Sequence, residues 1–151
     1  MSVPLSAPFF LDRLPMRVVF SAFELLGIVL LRFRLLPRVW AILLIVVNLS
    51  SVFFLDTLYG QVAFAVMWVG VVIMVWIYSK LGFVRLLGIG HVFWIPILVC
   101  FAMKLPIVSE QGWLSVWLVS LMIGNGISLL IDGIDVGRFV LGERKPHYSW
   151  N

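Results

Sequence analysis

Long apolar runs separated by short polar segments make up most of the 151-residue chain. A helix needs about 20 mainly apolar residues to cross a bilayer, and four of these runs reach or approach that length. They predict transmembrane helices at residues 39–59, 62–79, 86–103 and 113–131. The pattern therefore predicts an all-α integral membrane protein. Its four transmembrane helices would form one bundle, and residues 1–151 would form a single membrane domain.

A fifth apolar stretch, residues 18–33, has a different character. It is only 16 residues long and contains Glu24 near its middle, so it is too short and too polar for a span. On a helical wheel its polar residues share an arc of about 160°, opposite the apolar ones. We predict an amphipathic helix over 16–36 that lies in the membrane interface and ends at Pro37. The residues on its polar face are Arg13, Arg17, Ser21, Glu24, Arg32, Arg34 and Arg38.

Composition supports a membrane protein. The chain is 63% hydrophobic and 12% charged, whereas soluble domains are about half apolar and a quarter charged. A chain of this length cannot bury so many large side chains in a soluble core. The net charge of +4 comes from basic residues that flank the apolar runs, so we do not expect nucleic acid as a partner.

The basic residues also predict the orientation of the chain. Lys104 is alone on one side, whereas the other ten are on the opposite side: Arg13, Arg17, Arg32, Arg34, Arg38, Lys80, Arg85, Arg138, Arg144 and Lys145. By the positive-inside rule both termini, including a tail at 138–151, are cytoplasmic. With so little mass outside the membrane, we expect a multi-pass protein of the bacterial inner membrane. Trp40 and Trp76 near one boundary, and Trp113 and Trp117 near the other, are predicted interface anchors.

A few polar residues lie inside the predicted spans. Counting along each span puts Asn48, His91, Asn125 and Asp132 in the cytoplasmic half of the bilayer, so they form a candidate polar cluster. In one interpretation it is a pocket for a small solute, or a His–carboxylate pair that binds or passes a proton. In the other, the asparagines and Ser128 hydrogen-bond between helices. His91 then lies at an interface and Asp132 faces cytoplasmic water.

Two further sets of residues predict contacts. The first is a helix-packing seam in the fourth span, where small residues recur every four positions and allow a close helix approach: Ser120, Gly124 and Ser128. The second is the arginine set of the N-terminal helix, which predicts binding to anionic lipid headgroups or simple anchoring at a fixed depth. Its members are Arg13, Arg17, Arg32, Arg34 and Arg38.

Sequence motifs offer little support for catalysis. The chain has one cysteine and two histidines, and its spacings match none of the common metal, phosphate-loop or catalytic motifs. We predict no metal, no cofactor and no catalytic residue, and an enzyme acting through His91 and Asp132 is a third, weaker interpretation. The leading hypothesis is a helical-bundle assembly or accessory subunit that forms homo-oligomers or binds another membrane protein. The alternative is an oligomeric small-solute or proton-coupled transporter or channel lined by the polar cluster.

Overall fold

A computed structural model of the protein describes residues 14–108 and 112–144. The α-helices in this part of the chain are α1 (Leu14–Gly27), α2 (Leu35–Leu49), α3 (Leu58–Leu81), α4 (Trp94–Val108) and α5 (Trp113–Val140). Three short segments of other helix types adjoin them. One is a π-helical turn (Ile28–Arg32), and two are 3₁₀ segments (Ser50–Phe54 and Arg85–His91). Arg13 and residues 145–151 of the predicted tail lie outside the described residues.

Among the described residues, four helical segments are long and apolar enough to cross a membrane: Leu35–Phe54, Leu58–Leu81, Arg85–Leu105 and Trp113–Val140. The prediction of an all-α membrane protein with four spans is therefore confirmed. The last helix continues well past the predicted end at residue 131. Its 28 residues make it about 42 Å long, whereas the hydrocarbon core is about 30 Å thick. The C-terminal turns of α5 therefore have room to extend beyond the lipid.

The N-terminal helix is present but ends earlier than predicted. The chain leaves the helical conformation at Phe33 and Arg34, whose ψ angles are 147° and 159°. Pro37 does not cause this break. It lies in the first turn of α2, where a missing backbone N–H costs no intrahelical hydrogen bond. The position of α1 in the membrane interface stays a prediction.

One apolar core fixes α1 to the bundle. Ile28 at the start of the π-helical turn is buried together with Ile77 and Tyr78 near the end of α3, and with Val84 and Leu87 beyond it. We call this end of the bundle the basic end, because the N-terminus of α2 and the C-termini of α3 and α5 meet there with their arginines and lysine. The other core lies between α3, α4 and α5 and contains Ala63, Trp94, Phe101, Leu114, Trp117, Leu118 and Leu121.

The 3₁₀ segment Arg85–His91 lies between α3 and α5. A 3₁₀ helix has three residues per turn, so residues three apart share one side. One side carries Arg85, Gly88 and His91. Arg85 and His91 each contact an aspartate of α5, and Gly88 lies against one. The next side carries Val84, Leu87 and Gly90, which are buried. The three-residue repeat of this segment therefore presents one set of residues to α5 and a different set to α3.

Glycines allow this segment to approach both helices closely. A Cβ added to Gly88 would lie 2.7 Å from the Cβ of Asp132. On the other side, a Cβ on Gly90 would lie 2.4 Å from Cγ of Met74, and one on Gly70 would lie 2.6 Å from the carbonyl oxygen of Gly90. Real Cβ atoms do not make such contacts, so side chains here would push the helices apart.

The connection between α2 and α3 is a tight turn at residues 55–57, slightly before the position implied by the predicted span ends. The backbone N–H and the hydroxyl of Thr57 donate to the carbonyl oxygen of Phe54 at 2.9 and 2.8 Å. The same hydroxyl accepts from the N–H of Gly60 at 3.1 Å, which caps the start of α3. A Cβ on Gly60 would lie 2.0 Å from the carbonyl oxygen of Phe54.

We expect Gly60→Ala to lower the free energy of unfolding by about 1–3 kcal/mol, because a backbone carbonyl cannot move aside without opening the turn. Unfolding of the purified protein in increasing SDS, followed by circular dichroism, measures this change. Gly133→Ala is the matched control. Nothing lies within 4 Å of a Cβ on Gly133, so its stability should stay the same or rise by up to about 1 kcal/mol. Equal losses in the two variants would contradict the proposed steric cause.

Candidate functional site

A histidine–aspartate pair joins the 3₁₀ segment to α5. Nδ1 of His91 lies 2.7 Å from Oδ2 of Asp132. Each side chain is 22% exposed. This distance is that of a hydrogen bond, and the tautomer of the imidazole decides whether Nδ1 donates or accepts. This bond orients the imidazole, and Gly88 provides the space in which Asp132 lies.

An ion-pair network continues from this pair toward the end of α5. The guanidinium of Arg85 contacts Asp135 through Nη1 and Glu143 through Nε, the latter at 3.0 Å. Glu143 also accepts a hydrogen bond of 2.9 Å from Nε of Arg138. Asp135 is therefore paired with the same 3₁₀ segment that carries His91.

Glu143 lies after α5, outside the membrane-spanning segments. The hydrogen bond from Arg138, assisted by the positive charges of Arg138 and Arg85, lowers the pKa of Glu143 below its ordinary value of 4.5. Its charge is therefore present at neutral pH and is lost only as the pH falls through that lowered value. At neutral pH an ionised Glu143 therefore holds Arg138 and Arg85.

The two asparagines form a separate, closed pair between α2 and α5. Nδ2 of Asn48 donates to Oδ1 of Asn125 at 3.4 Å, and Nδ2 of Asn125 donates to Oδ1 of Asn48 at 3.3 Å. The second hydrogen of each amide goes to its own helix, at Leu44 O and Leu121 O. Asn48 is 6% and Asn125 is 1% exposed. All four amide hydrogens are bonded, and the pair is nearly excluded from solvent.

The predicted four-residue cluster is therefore arranged as two pairs. Asn125 and Asp132 share one face of α5 but are seven residues, or about 10 Å, apart along its axis. Asn48 lies at the depth of Asn125, and His91 lies at the depth of Asp132. The structure brings together Asn48 with Asn125 and His91 with Asp132, and does not bring all four side chains together.

Two tryptophans add hydrogen bonds between α2 and α5. The indole N–H of Trp40 donates to Oγ of Ser128 at 3.2 Å. The indole N–H of Trp117 donates to the carbonyl oxygen of Val47 at 3.1 Å. Trp117 is buried, whereas Trp113, one turn earlier, is 82% exposed. The sequence predicted an interface anchor at both positions, and nothing in it distinguished the buried tryptophan from the exposed one.

The predicted packing seam is largely used within the chain. A Cβ on Gly124 would lie 3.3 Å from Cδ1 of Leu44, and Ser128 is buried beside Trp40. Ser120 is exposed, and its hydroxyl donates to the carbonyl oxygen of Val116 in its own helix. Two of the three small residues therefore pack against α2.

The arginines predicted to bind lipid headgroups differ in their surroundings. Nη2 of Arg38 donates to the carbonyl oxygens of Leu31 and Phe33, both at 2.8 Å. Arg38 therefore caps the end of the π-helical turn. Arg32 and Arg34 are exposed. Arg13 lies outside the described residues, and so does the side chain of Arg17.

Comparison with known proteins gives no relative for this chain. No family model matches it, and no curated protein and no solved structure is significantly similar to it. Within residues 14–108 and 112–144, no three His, Cys, Asp or Glu side chains are grouped as metal ligands.

The Asn48–Asn125 pair gives a test by double-mutant cycle. Either Asn48→Leu or Asn125→Leu leaves one buried amide without its partner, so each should lower the free energy of unfolding by about 1–2 kcal/mol. The double variant removes both amides and should lose less than the sum of the two. SDS unfolding of all four proteins gives the coupling energy. Additive losses would mean that the two amides do not stabilise each other.

Proposed function

We propose that this chain is a helical-bundle subunit of a membrane assembly, which acts by associating with copies of itself or with another membrane protein. The observation that carries this proposal is the closed arrangement of polar groups between α2 and α5. The amides of Asn48 and Asn125 use all their hydrogens on each other and on their own helices. A pocket for a solute needs polar groups with hydrogen-bonding capacity left for a ligand. These groups serve helix packing instead.

The proposal includes a location in the bacterial inner membrane with both termini in the cytoplasm. Support comes from the distribution of described cations along the chain. Lys104 is near the end of α4, away from the basic end. Of the others, those whose side chains are described are at or beside the basic end: Arg32, Arg34, Arg38, Lys80, Arg85, Arg138 and Arg144. This asymmetry is typical of a multi-pass protein whose basic end faces the cytoplasm.

The outward face of α5 is the surface on which we expect association. Gly124 and Gly126 are only two residues apart but point to nearly opposite sides of the helix. Gly124 lies against Leu44 of α2, whereas nothing lies within 4 Å of a Cβ on Gly126, Gly133 or Gly137. Gly126, Gly133 and Gly137 share the outward face. Small residues that recur along one face of a helix allow a second helix to approach closely.

Self-association can be measured by energy transfer between donor- and acceptor-labelled full-length protein in liposomes. We expect transfer above the level of random collisions, persisting as lipid is added. Gly126→Leu should weaken association roughly fivefold to tenfold and leave the stability of the bundle unchanged. Gly124→Leu is the contrasting variant, which should lower stability because it displaces α2. Random-level transfer in the wild-type protein would contradict self-association, and unchanged transfer in Gly126→Leu would contradict this surface.

A second candidate function is an oligomeric small-solute or proton-coupled transporter or channel. The specific observation in its favour is the His91–Asp132 pair, because histidines and carboxylates inside membrane proteins commonly bind protons and pass them on. A transporter would need water or solute to reach the level of Asn125, whereas an assembly subunit would not.

Thiol labelling distinguishes the two functions. In a Cys100→Ser background, single cysteines at positions 125, 128 and 132 are treated with a membrane-impermeant reagent from each side. We expect position 132 to react from one side only and positions 125 and 128 to stay unreactive, because both native side chains are buried. Reaction at 125 and 128 would place water deep in the bundle and would favour the transporter.

A further inference from the structure

Three segments of the chain meet at the basic end around phenylalanine rings. Phe33 precedes α2, Phe83 lies between α3 and the 3₁₀ segment, and Phe139 is near the end of α5. The rings of Phe33 and Phe83 are in edge-to-face contact, with centroids 5.6 Å apart. All three side chains pack against the same core as Ile28 and Leu87. Residues distant in sequence are therefore held close together here.

Each of these segments brings an exposed cation. Arg34 directly follows Phe33, and Lys80 lies three residues before Phe83 in the last turn of α3. The guanidinium of Arg144 lies 5.9 Å from the ring centroid of Phe139, within reach of a cation–π interaction. We call Arg34, Lys80 and Arg144 the basic rim.

The carboxylates of α5 and of the segment that follows it are engaged by other residues. Asp132 is paired with His91, and Asp135 with Arg85. Glu143 is held by Arg138 and Arg85, and its lowered pKa keeps it in that ionised arrangement. None of these contacts involves the basic rim, so the positive charge of the rim is not neutralised by the α5 carboxylates.

An exposed apolar surface lies on the neighbouring helix. Phe20 and Phe23 of α1 are 69% and 70% exposed, and Met16 and Val19 on the same side of the helix are also exposed. The core around Ile28 fixes the C-terminal end of α1 to the basic end. A surface that combines exposed cations with exposed aromatic and aliphatic side chains matches a lipid with an anionic headgroup and apolar chains.

We propose that the basic rim binds the headgroup phosphate of an anionic phospholipid, whose acyl chains lie along the exposed face of α1. The three cations come from three segments whose phenylalanines pack against one core, and the exposed apolar face of α1 favours a lipid over a free anion. The site differs from the set expected from sequence alone, since Arg38 caps a helical turn and Lys80 and Arg144 come from elsewhere in the chain. This inference does not depend on the proposed assembly.

Native mass spectrometry of the full-length chain in neutral detergent, titrated with phosphatidylglycerol or phosphatidylcholine, tests the site on single protein molecules. We expect the first phosphatidylglycerol to bind more tightly than phosphatidylcholine, and added salt to weaken this preference. Lys80→Gln should weaken phosphatidylglycerol binding by about fivefold, the effect of one cation near a phosphate. The triple variant Arg34→Gln, Lys80→Gln, Arg144→Gln should abolish the preference.

Lys104→Gln is the matched control, because it removes the same charge away from the basic end and should leave lipid binding unchanged. Equal weakening by Lys80→Gln and Lys104→Gln would overturn the proposal, since it would mean that net charge alone attracts the lipid. Equal affinity for the two lipids would overturn it as well. Displacement of phosphatidylglycerol by millimolar inorganic phosphate would show a free-anion site in place of a lipid site. Circular dichroism checks each variant's fold, and if the triple variant unfolds the single variants decide.

Discussion

The close approach of the 3₁₀ segment to two helices is the contact on which the rest of the structure depends. Gly90 lies against Gly70 of α3, and Gly88 lies against Asp132 of α5. Because the segment repeats every three residues, the same side that carries Gly88 also carries Arg85 and His91 to the aspartates of α5. Val84 and Leu87 on the next side complete the core that holds α1. Without these glycines the helices would stand further apart, and the ion pairs, the α1 core and the cluster of phenylalanine rings would all lose their positions.

The contact between α2 and α5 follows a different principle. Lipid is as apolar as leucine, so apolar burial contributes little to helix association in a bilayer, and packing and hydrogen bonds take its place. Trp40 with Ser128, the Asn48–Asn125 pair and Trp117 with Val47 supply such bonds along most of α2. Each bond has a fixed direction, so together they set both the rotation of α2 about its axis and its position along α5. The polar groups inside this bundle thus specify its geometry, which is the role that structural asparagines have in other helix pairs.

The number of spans and their approximate positions could be predicted from the sequence, because the thickness of the bilayer sets the length of apolar sequence that a spanning helix needs. Details that depend on three-dimensional contacts could not. Pro37 was expected to end a helix, yet a proline is equally acceptable in a first turn, and the break came at Phe33. Whether Arg85–His91 forms a 3₁₀ or an α-helix depends on glycine contacts with other helices. Residue counting put all four polar residues in the same half of the bilayer, but it could not separate the depth of Asn125 from that of Asp132. Arg38 and Trp117 looked like their exposed neighbours in sequence.

The Asn48–Asn125 hydrogen bonds join residues 77 positions apart, and this separation has a consequence for biosynthesis. A ribosome adds about 5–20 residues per second, so several seconds pass between synthesis of the two asparagines. During that interval α2 and α3 are already joined by their short turn and can enter the membrane as a hairpin, with the Asn48 amide unpaired in lipid. The native bundle then forms only when α5 arrives and takes up that amide. Of the described helices, α5 is made last and completes the bundle, and a nascent chain truncated before it would expose a hydrogen-bonding group that other membrane proteins or quality-control proteases can recognise.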